Sequence, residues 1–261
     1  MLHRVDGHGE PLLLLNGIAM SVASWEEMAR LLAERFRVVR FDFRGQLLSH
    51  GEPPHDVLEH AAAVVGLLDR LAIDRAHLVA TSFGGAVALL VAARWPERVR
   101  SLISIASADA FDDVMALEVT RWRRACLDSL ATGDRGLLSD VLEPVVYSAG
   151  YLAAHNEERA LRRRQIAALP EAWFKGLAGL LDSTPSVALA GELAAVRCPT
   201  LVVAAELDGF IPLARTRALA EGIRGARFIL IEGAGHAVVV EQPRLVASLC
   251  LDFIAGIGPR V

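Results

Sequence analysis

The stretch Ala80-Thr81-Ser82-Phe83-Gly84-Gly85 decides the reading of this chain. Before it lies the apolar run His77-Leu78-Val79-Ala80. After it comes Ala86-Val87-Ala88-Leu89-Leu90-Val91-Ala92-Ala93, rich in helix formers. The order is strand, serine, two glycines, helix. A serine at such a junction sits on a very tight turn with its hydroxyl pushed clear of the sheet. The turn needs small residues two before and two after the serine, because strand and helix backbones nearly touch there. Ala80 and Gly84 meet that need. The helix begins at the serine, so its free N–H groups and the positive end of its dipole face whatever Ser82 attacks. The plain alternative is a serine that caps an ordinary helix. The rest of the chain has to separate the two.

Bulk properties exclude several classes. The 261 residues are ample for one large domain, and 53% are hydrophobic, which calls for a large core. A net charge of −4 supplies no electrostatic reason for nucleic acid or an anionic membrane as partner. Cys126, Cys198 and Cys250 are odd in number and widely spaced. They form neither a disulfide framework nor a zinc pattern and suit a reducing cytoplasm. No apolar run reaches the roughly 18 residues of a membrane span. Pro11 to Leu15 is too short for a signal-peptide core, and Asp6 and Glu10 flank it where positive charge belongs, so it reads as a buried strand.

Strands and helices alternate along most of the chain. Leu2 to Val5, Leu12 to Leu15, Arg37 to Phe43, His77 to Thr81 and Val99 to Ala106 read as strands. Ser24 to Glu27 reads as a capping box opening a first helix, and Asp56 with Glu59 as the cap of a second that runs through Leu71. Between residues 107 and 196 the strand-like runs vanish. Helical segments there carry apolar residues at helical spacing, punctuated by Gly133, Gly136, Pro144, Pro170 and Pro185. Roughly 90 residues are too many for a structureless loop, so the segment is expected to be helical. Strand and helix then resume with Thr200 to Ala205, Pro212 to Gly222, Ala226 to Ile231 and Pro243 to Ile254. This alternation predicts an α/β fold with a mostly parallel sheet in right-handed crossovers.

A serine hydroxyl needs a base to take its proton, and a carboxylate to orient that base. Of eight histidines, His236 lies in a glycine-rich loop directly after a late strand, in Glu232-Gly233-Ala234-Gly235-His236. His50, His55 and His60 precede the serine, match no metal spacing and read as surface residues. His77 reads as packing at the edge of its strand. Asp208, in Ala205-Glu206-Leu207-Asp208-Gly209, follows a strand at its C-terminal end, where open α/β sheets place their sites. A turn aspartate before glycine is its plain alternative. Glu206 stands nearby but closer to the strand.

Taken together, Ser82, Asp208 and His236 in that chain order resemble the α/β-hydrolase superfamily, with Ala80-Thr81-Ser82-Phe83-Gly84 as its nucleophile elbow. Alanine stands where that motif usually has its first glycine. The resemblance implies a core of residues 1–106 and 197–261 and a helical cap of residues 107–196. It also implies an oxyanion hole from the Phe83 N–H and an N–H of the turn Leu15-Asn16-Gly17-Ile18, for which Ile18 is chosen. Asn16 stands where many relatives have histidine, and its amide is expected to brace the loop. Asp42-Phe43-Arg44-Gly45-Gln46-Leu47-Leu48-Ser49 resembles the family's D-x-R-G-x-G-x-S loop, with Leu47 in the second glycine's place. Some members take their acid from the preceding strand, which makes Asp109 a rival to Asp208. A serine nucleophile sets the chain apart from the branches with an aspartate nucleophile. The Asn-Gly turn, the alanine-type elbow and the cap also resemble the enzyme joining two 3-hydroxyacyl chains into the rhamnolipid precursor.

The implied reaction is acyl transfer from a small-molecule ester or thioester, with no cofactor and no metal. Water as acceptor makes a serine carboxylesterase. A hydroxyacyl acceptor makes an acyltransferase, and slow turnover a ligand sensor. Trp122, Tyr147 and Trp173 are candidate substrate-binding residues in a cap expected to favour apolar acyl groups of medium length. Nothing in the sequence marks a partner surface.

Overall fold

The computed structural model describes residues 1–47, 49 and 51–257. Among the described residues seven strands form one sheet: β1 (His3–Asp6), β2 (Glu10–Leu15), β3 (Phe36–Phe41), β4 (Ala76–Thr81), β5 (Val99–Ile105), β6 (Thr200–Ala205) and β7 (Arg227–Ile231). Their spatial order is β1-β3-β2-β4-β5-β6-β7. Only β1 runs antiparallel, against β3; every other pair is parallel. Parallel strands need crossovers, and the helices between them cover both faces.

Period-two alternation sorts the strands other than β1 between two cores. Leu13, Leu15, Val39, Phe41, Leu78 and Ala80 face one, which α2 (Val57–Arg70), α3 (Phe83–Arg94) and α9 (Leu213–Gly222) close. Leu12, Leu14, Val38, Val79, Ile103 and Val203 face the other, closed by α1 (Glu26–Leu32), the short α10 (Val238–Glu241) and α11 (Pro243–Ile257). Residues 12–15, 78–80 and 201–205 are therefore apolar and buried without a break, as strand segments covered on both faces are.

Between β5 and β6 run α4 (Asp113–Thr132), α5 (Leu137–Val146), α6 (Ala149–Ala154), α7 (Arg159–Ala167) and α8 (Glu171–Ser183). Helix α4 packs on α8 and α5, and α5 on α7. The chain entering and the chain leaving this segment are tied together: Phe111 N–H donates to Val187 O at 3.1 Å and Leu189 N–H to Asp109 O at 2.8 Å.

Local expectations were corrected at several points. Ser24 does not open α1. A 3-10 turn over Val22–Trp25 comes first, and Ser24 Oγ accepts instead from Ser21 N–H at 3.2 Å. The Asp56 cap forms as expected, accepting from Glu59 N–H at 2.8 Å. His60 is not a surface residue: it is 1% exposed, edge-on to Phe43 and Phe83. It shares the inner stripe of α2 with Val57, Ala61, Val64 and Leu67. His77 lies in the middle strand of the sheet, buried against Ser101 Oγ at 2.8 Å. His55 is exposed, and His50 and Leu48 lie outside the described residues.

Candidate active site

Ser82 leaves β4 with φ 54° and ψ −123°, a conformation that L residues rarely adopt and that costs about 1–3 kcal/mol. Surrounding bonds hold it there. Its N–H donates to Ile105 O at 2.9 Å, and Ser107 Oγ donates to its carbonyl at 3.1 Å. The two glycines that follow are fitted to close approach. A Cβ on Gly84 would lie 2.5 Å from the carbonyl oxygens of Leu15 and Asn16, and one on Gly85 would overlap Ser107. Helix α3 thus rests directly on the end of β2, and Ser82 is lifted above the sheet.

The structure brings Ser82, His236 and Asp208 together. His236 Nε2 stands 2.9 Å from Ser82 Oγ, and His236 Nδ1 stands 2.8 Å from Asp208 Oδ2. A carboxylate only accepts, so Nδ1 carries the proton and Nε2 faces Ser82 as an acceptor. The other oxygen of Asp208 accepts from the Phe210 and Ile211 N–H groups at 2.9 and 2.8 Å, which locks the carboxylate plane. The edge of the Phe210 ring lies against the imidazole, with centroids 5.2 Å apart. Asp208 and His236 side chains are 4% and 10% exposed, so the chain of bonds is shielded from water.

The rival carboxylates go elsewhere. Asp109 lies beside Arg215, 3.7 Å away. Glu206 accepts from Gly233 N–H at 2.9 Å and braces the loop that carries His236.

The turn after β2 is held by a buried amide network. Asn16 donates to Asp42 Oδ1 at 3.1 Å and to Gln46 Oε1 at 2.9 Å, and accepts from Trp25 Nε1 at 2.7 Å. Gln46 Nε2 donates to the carbonyls of Gly17 and Ile18 at 2.9 and 3.0 Å. With those carbonyls held, the adjoining amides are fixed in direction. Among the described residues neither Ile18 N–H nor Phe83 N–H has an acceptor, as expected of a helix first turn in the case of Phe83. Gln46 was missed in the sequence. Its signal was a long amide directly before Leu47, where the loop departs from its usual pattern.

Two cavities meet at Ser82. The wide one, about 540 Å³, is bounded by Ile18, Ser82 and His236 below and by Leu142, Tyr147 and Ile166 above. Glu143, Arg162 and Gln165 give it a polar wall. The narrow one, about 30 Å³, runs between Phe83, Phe111, Met115, Val119, Phe210 and Ile211. His236 lines the wide cavity and is absent from the walls of the narrow one. Trp122 borders both, 2% exposed, and its indole N–H has no acceptor among the described residues. Trp173 lines neither: it packs edge-on to Phe174, inside the helical layer. Glu143 was not singled out in the sequence. It pairs with Arg162 at 3.2 Å, and in sequence the two look like unrelated surface charges.

Burial raises the Cys126 and Cys250 thiols to about 12, which leaves both protonated and unreactive. Among the described residues no cluster of three His, Cys, Asp or Glu side chains is placed to hold a metal ion, and no helix is long and apolar enough to cross a membrane.

Known proteins share this fold. The family model for the alpha/beta hydrolase fold matches residues 10–243. The chain is 30% identical to the 2-hydroxymuconate semialdehyde hydrolase of Pseudomonas sp. strain CF600, over 96% of this chain and 88% of that one. It is 29% identical to the pimeloyl-[acyl-carrier protein] methyl ester esterase of Aeromonas hydrophila, over 95% of this chain and 96% of that one. Among solved structures, an α/β-hydrolase enzyme from a Medee basin deep-sea metagenome library superposes with a TM-score of 0.91 at 22% identity, covering 100% of this chain and 96% of that one. The enol-lactonase of Burkholderia xenovorans LB400 superposes at 0.84 with 24% identity, covering 97% and 96%. With a model match across most of its length and relatives that are themselves hydrolases, this chain belongs to the α/β-hydrolase fold family.

Proposed function

We propose that the chain is a serine hydrolase that cleaves carboxylic esters through an acyl-enzyme. The observation that carries this reading is the continuous line from Ser82 Oγ through His236 to Asp208, at 2.9 and 2.8 Å, beside two amides without acceptors among the described residues. Ser82 Oγ attacks the ester carbonyl and its proton passes to His236 Nε2. Asp208 holds the imidazole and stabilises its charged form. The Ile18 and Phe83 N–H groups receive the oxyanion. As the tetrahedral intermediate collapses, His236 gives the proton to the departing alcohol. Water then enters by the same route and releases the acid.

Residues 107–196 act in this reading as a cap over the site, on a core of residues 1–106 and 197–261. The two cavities divide the substrate. The leaving oxygen must come within hydrogen-bond reach of His236 Nε2, and His236 lines only the wide cavity. The alcohol side therefore occupies the wide cavity, with Tyr147 and the Arg162 wall around it. The acyl substituent takes the narrow apolar slot beside Phe83. At about 30 Å³ that slot has room for roughly two water-sized groups. Short acyl groups fit it, which replaces the expectation of medium chains. Trp122 at the junction offers its free indole N–H to a polar atom of the substrate. The methyl ester esterase among the relatives supports ester cleavage, and the hydrolases among them support water as acceptor.

A fluorophosphonate probe is expected to label Ser82 alone, and Ser82→Ala is expected to lose ester turnover on the order of 10⁴-fold or more. Labelling that persists in Ser82→Ala overturns the assignment. In a matrix of esters, kcat/KM should be highest for acetyl and propionyl groups and tolerate large alcohols. A maximum at decanoyl esters would reverse the division of the cavities.

A further inference from the structure

The histidine loop is tied to the segment that joins α5 to α6. Glu241, the last residue of α10, accepts from Ser148 N–H and Ser148 Oγ, both at 2.7 Å. The same carboxylate accepts from Gly235 N–H at 3.2 Å, directly before His236. On the other side of His236, Ala237 N–H donates to Val146 O at 2.7 Å. Both neighbours of the histidine are thus fastened to residues 146–148, one directly and one through Glu241.

The contact is close enough to exclude side chains. A Cβ on Gly235 would lie 2.5 Å from Ser148 N and 2.8 Å from the Tyr147 carbonyl carbon. The acid turn is touched by the same segment: a Cβ on Gly209, next to Asp208, would lie 2.7 Å from Val145 O. Four residues of the helical insertion therefore lie across both loops that carry the acid and the base. The same stretch lines the wide cavity through Val146 and Tyr147.

We propose that Glu241 and Ser148 are positioning residues for His236, forming a latch through which the helical insertion sets the orientation of the base. The inference rests on the ester-hydrolase reading only for its kinetic test. A carboxylate that accepts three N–H or O–H bonds from two segments holds them in one register. Loosening it lets the Gly235–Ala237 backbone shift, and a shift of about 1 Å at a reacting group costs up to about a hundredfold in rate. Neither Glu241 nor Ser148 lines the wide cavity itself, so ground-state binding there is expected to change less than the rate.

The test uses the whole protein with Glu241→Gln, Ser148→Ala and Ser148→Thr. Glutamine replaces one accepting oxygen by an NH₂ group, so the bonds from Gly235 and Ser148 cannot all be kept. Active sites are counted with a fluorophosphonate probe, and kcat and KM for p-nitrophenyl acetate are expressed per labelled site. Glu241→Gln is expected to lower kcat per site about tenfold to a hundredfold with KM within about threefold. Ser148→Ala should fall less, and Ser148→Thr, which keeps the hydroxyl, should return close to the original rate. A second readout needs no turnover: the low-field proton resonance of His236 Nδ1–H, assigned by its loss in His236→Ala, should broaden or vanish in Glu241→Gln. An unchanged kcat per site and an unchanged resonance, with only a lower Tm or fewer labelled sites, would make the latch structural and overturn the proposal. Absence of both labelling and turnover in the unsubstituted protein would count against the ester reading, while the resonance would still decide the latch.

Discussion

At the scale of single residues, the site depends on which carboxylate the imidazole meets. Asp208 Oδ2 lies 2.8 Å from His236 Nδ1, and its other oxygen is pinned by two backbone amides. Asp208→Asn puts an amide there, which favours the wrong tautomer, so kcat is expected to fall by roughly 10⁴-fold while folding is spared. Asp109 faces Arg215 instead, and Asp109→Asn should leave turnover within a few-fold. Steady-state kinetics on the two variants decide the matter, and the opposite ranking would move the acid to the end of β5. In the sequence both were aspartates just beyond a strand. Only the path of the loops determines which one reaches His236.

At the scale of elements, the junction of β4 and α3 depends on how closely α3 rests on β2. Gly84→Ala sets a methyl 2.5 Å from two carbonyl oxygens that cannot rotate away. It should destabilise the fold by about 1–3 kcal/mol and tilt Ser82 away from His236. Gly191, with nothing within 4 Å of its would-be Cβ, is the control. Thermal melts and probe labelling should show Gly84→Ala impaired in both and Gly191→Ala close to unchanged. Equal melting temperatures would mean that the close approach is unimportant. The turn motif was readable from residue size and spacing alone. The network of Asn16, Asp42 and Gln46 was not, because its members come from two separate loops and meet only when β2 and β3 pair.

At the scale of the whole molecule, buried histidines set an acid limit on stability. Burial, aided by the nearby Arg44 charge, pushes His60 down to about 4, and burial also lowers His77. Neither His60 ring nitrogen has a hydrogen-bond partner among the described residues, and the Pro54 carbonyl acts on it only weakly. In the unfolded chain both histidines take up a proton near pH 6.5, where the folded protein still holds them neutral. The unfolded state then binds more protons, so stability is full above about pH 6.5 and falls as the pH drops toward 4. For His60 the loss is on the order of 3 kcal/mol. Urea unfolding of the original protein and of His60→Leu between pH 7.5 and pH 4.5 should show a shallower decline in the variant. Parallel curves would remove His60 as the cause.

What the sequence determined by itself follows from local rules. Period-two and helical spacing marked strands and helices, the size of residues around Ser82 marked the tight turn, and the glycine-rich ends of late strands marked where Asp208 and His236 would emerge. These features depend on neighbours a few positions apart, so they can be read along the chain. The tertiary structure alone decided which acid meets His236, how Gln46 holds the Ile18 turn, why His60 is buried, and that Trp173 stays away from the cavities while Glu143 and Arg162 enter one. It also decided that the space beside Ser82 is narrow on one side and wide on the other. Each of these is set by contacts between segments far apart in sequence, such as those of α4 with α5 and α8. No periodicity along the chain encodes such contacts.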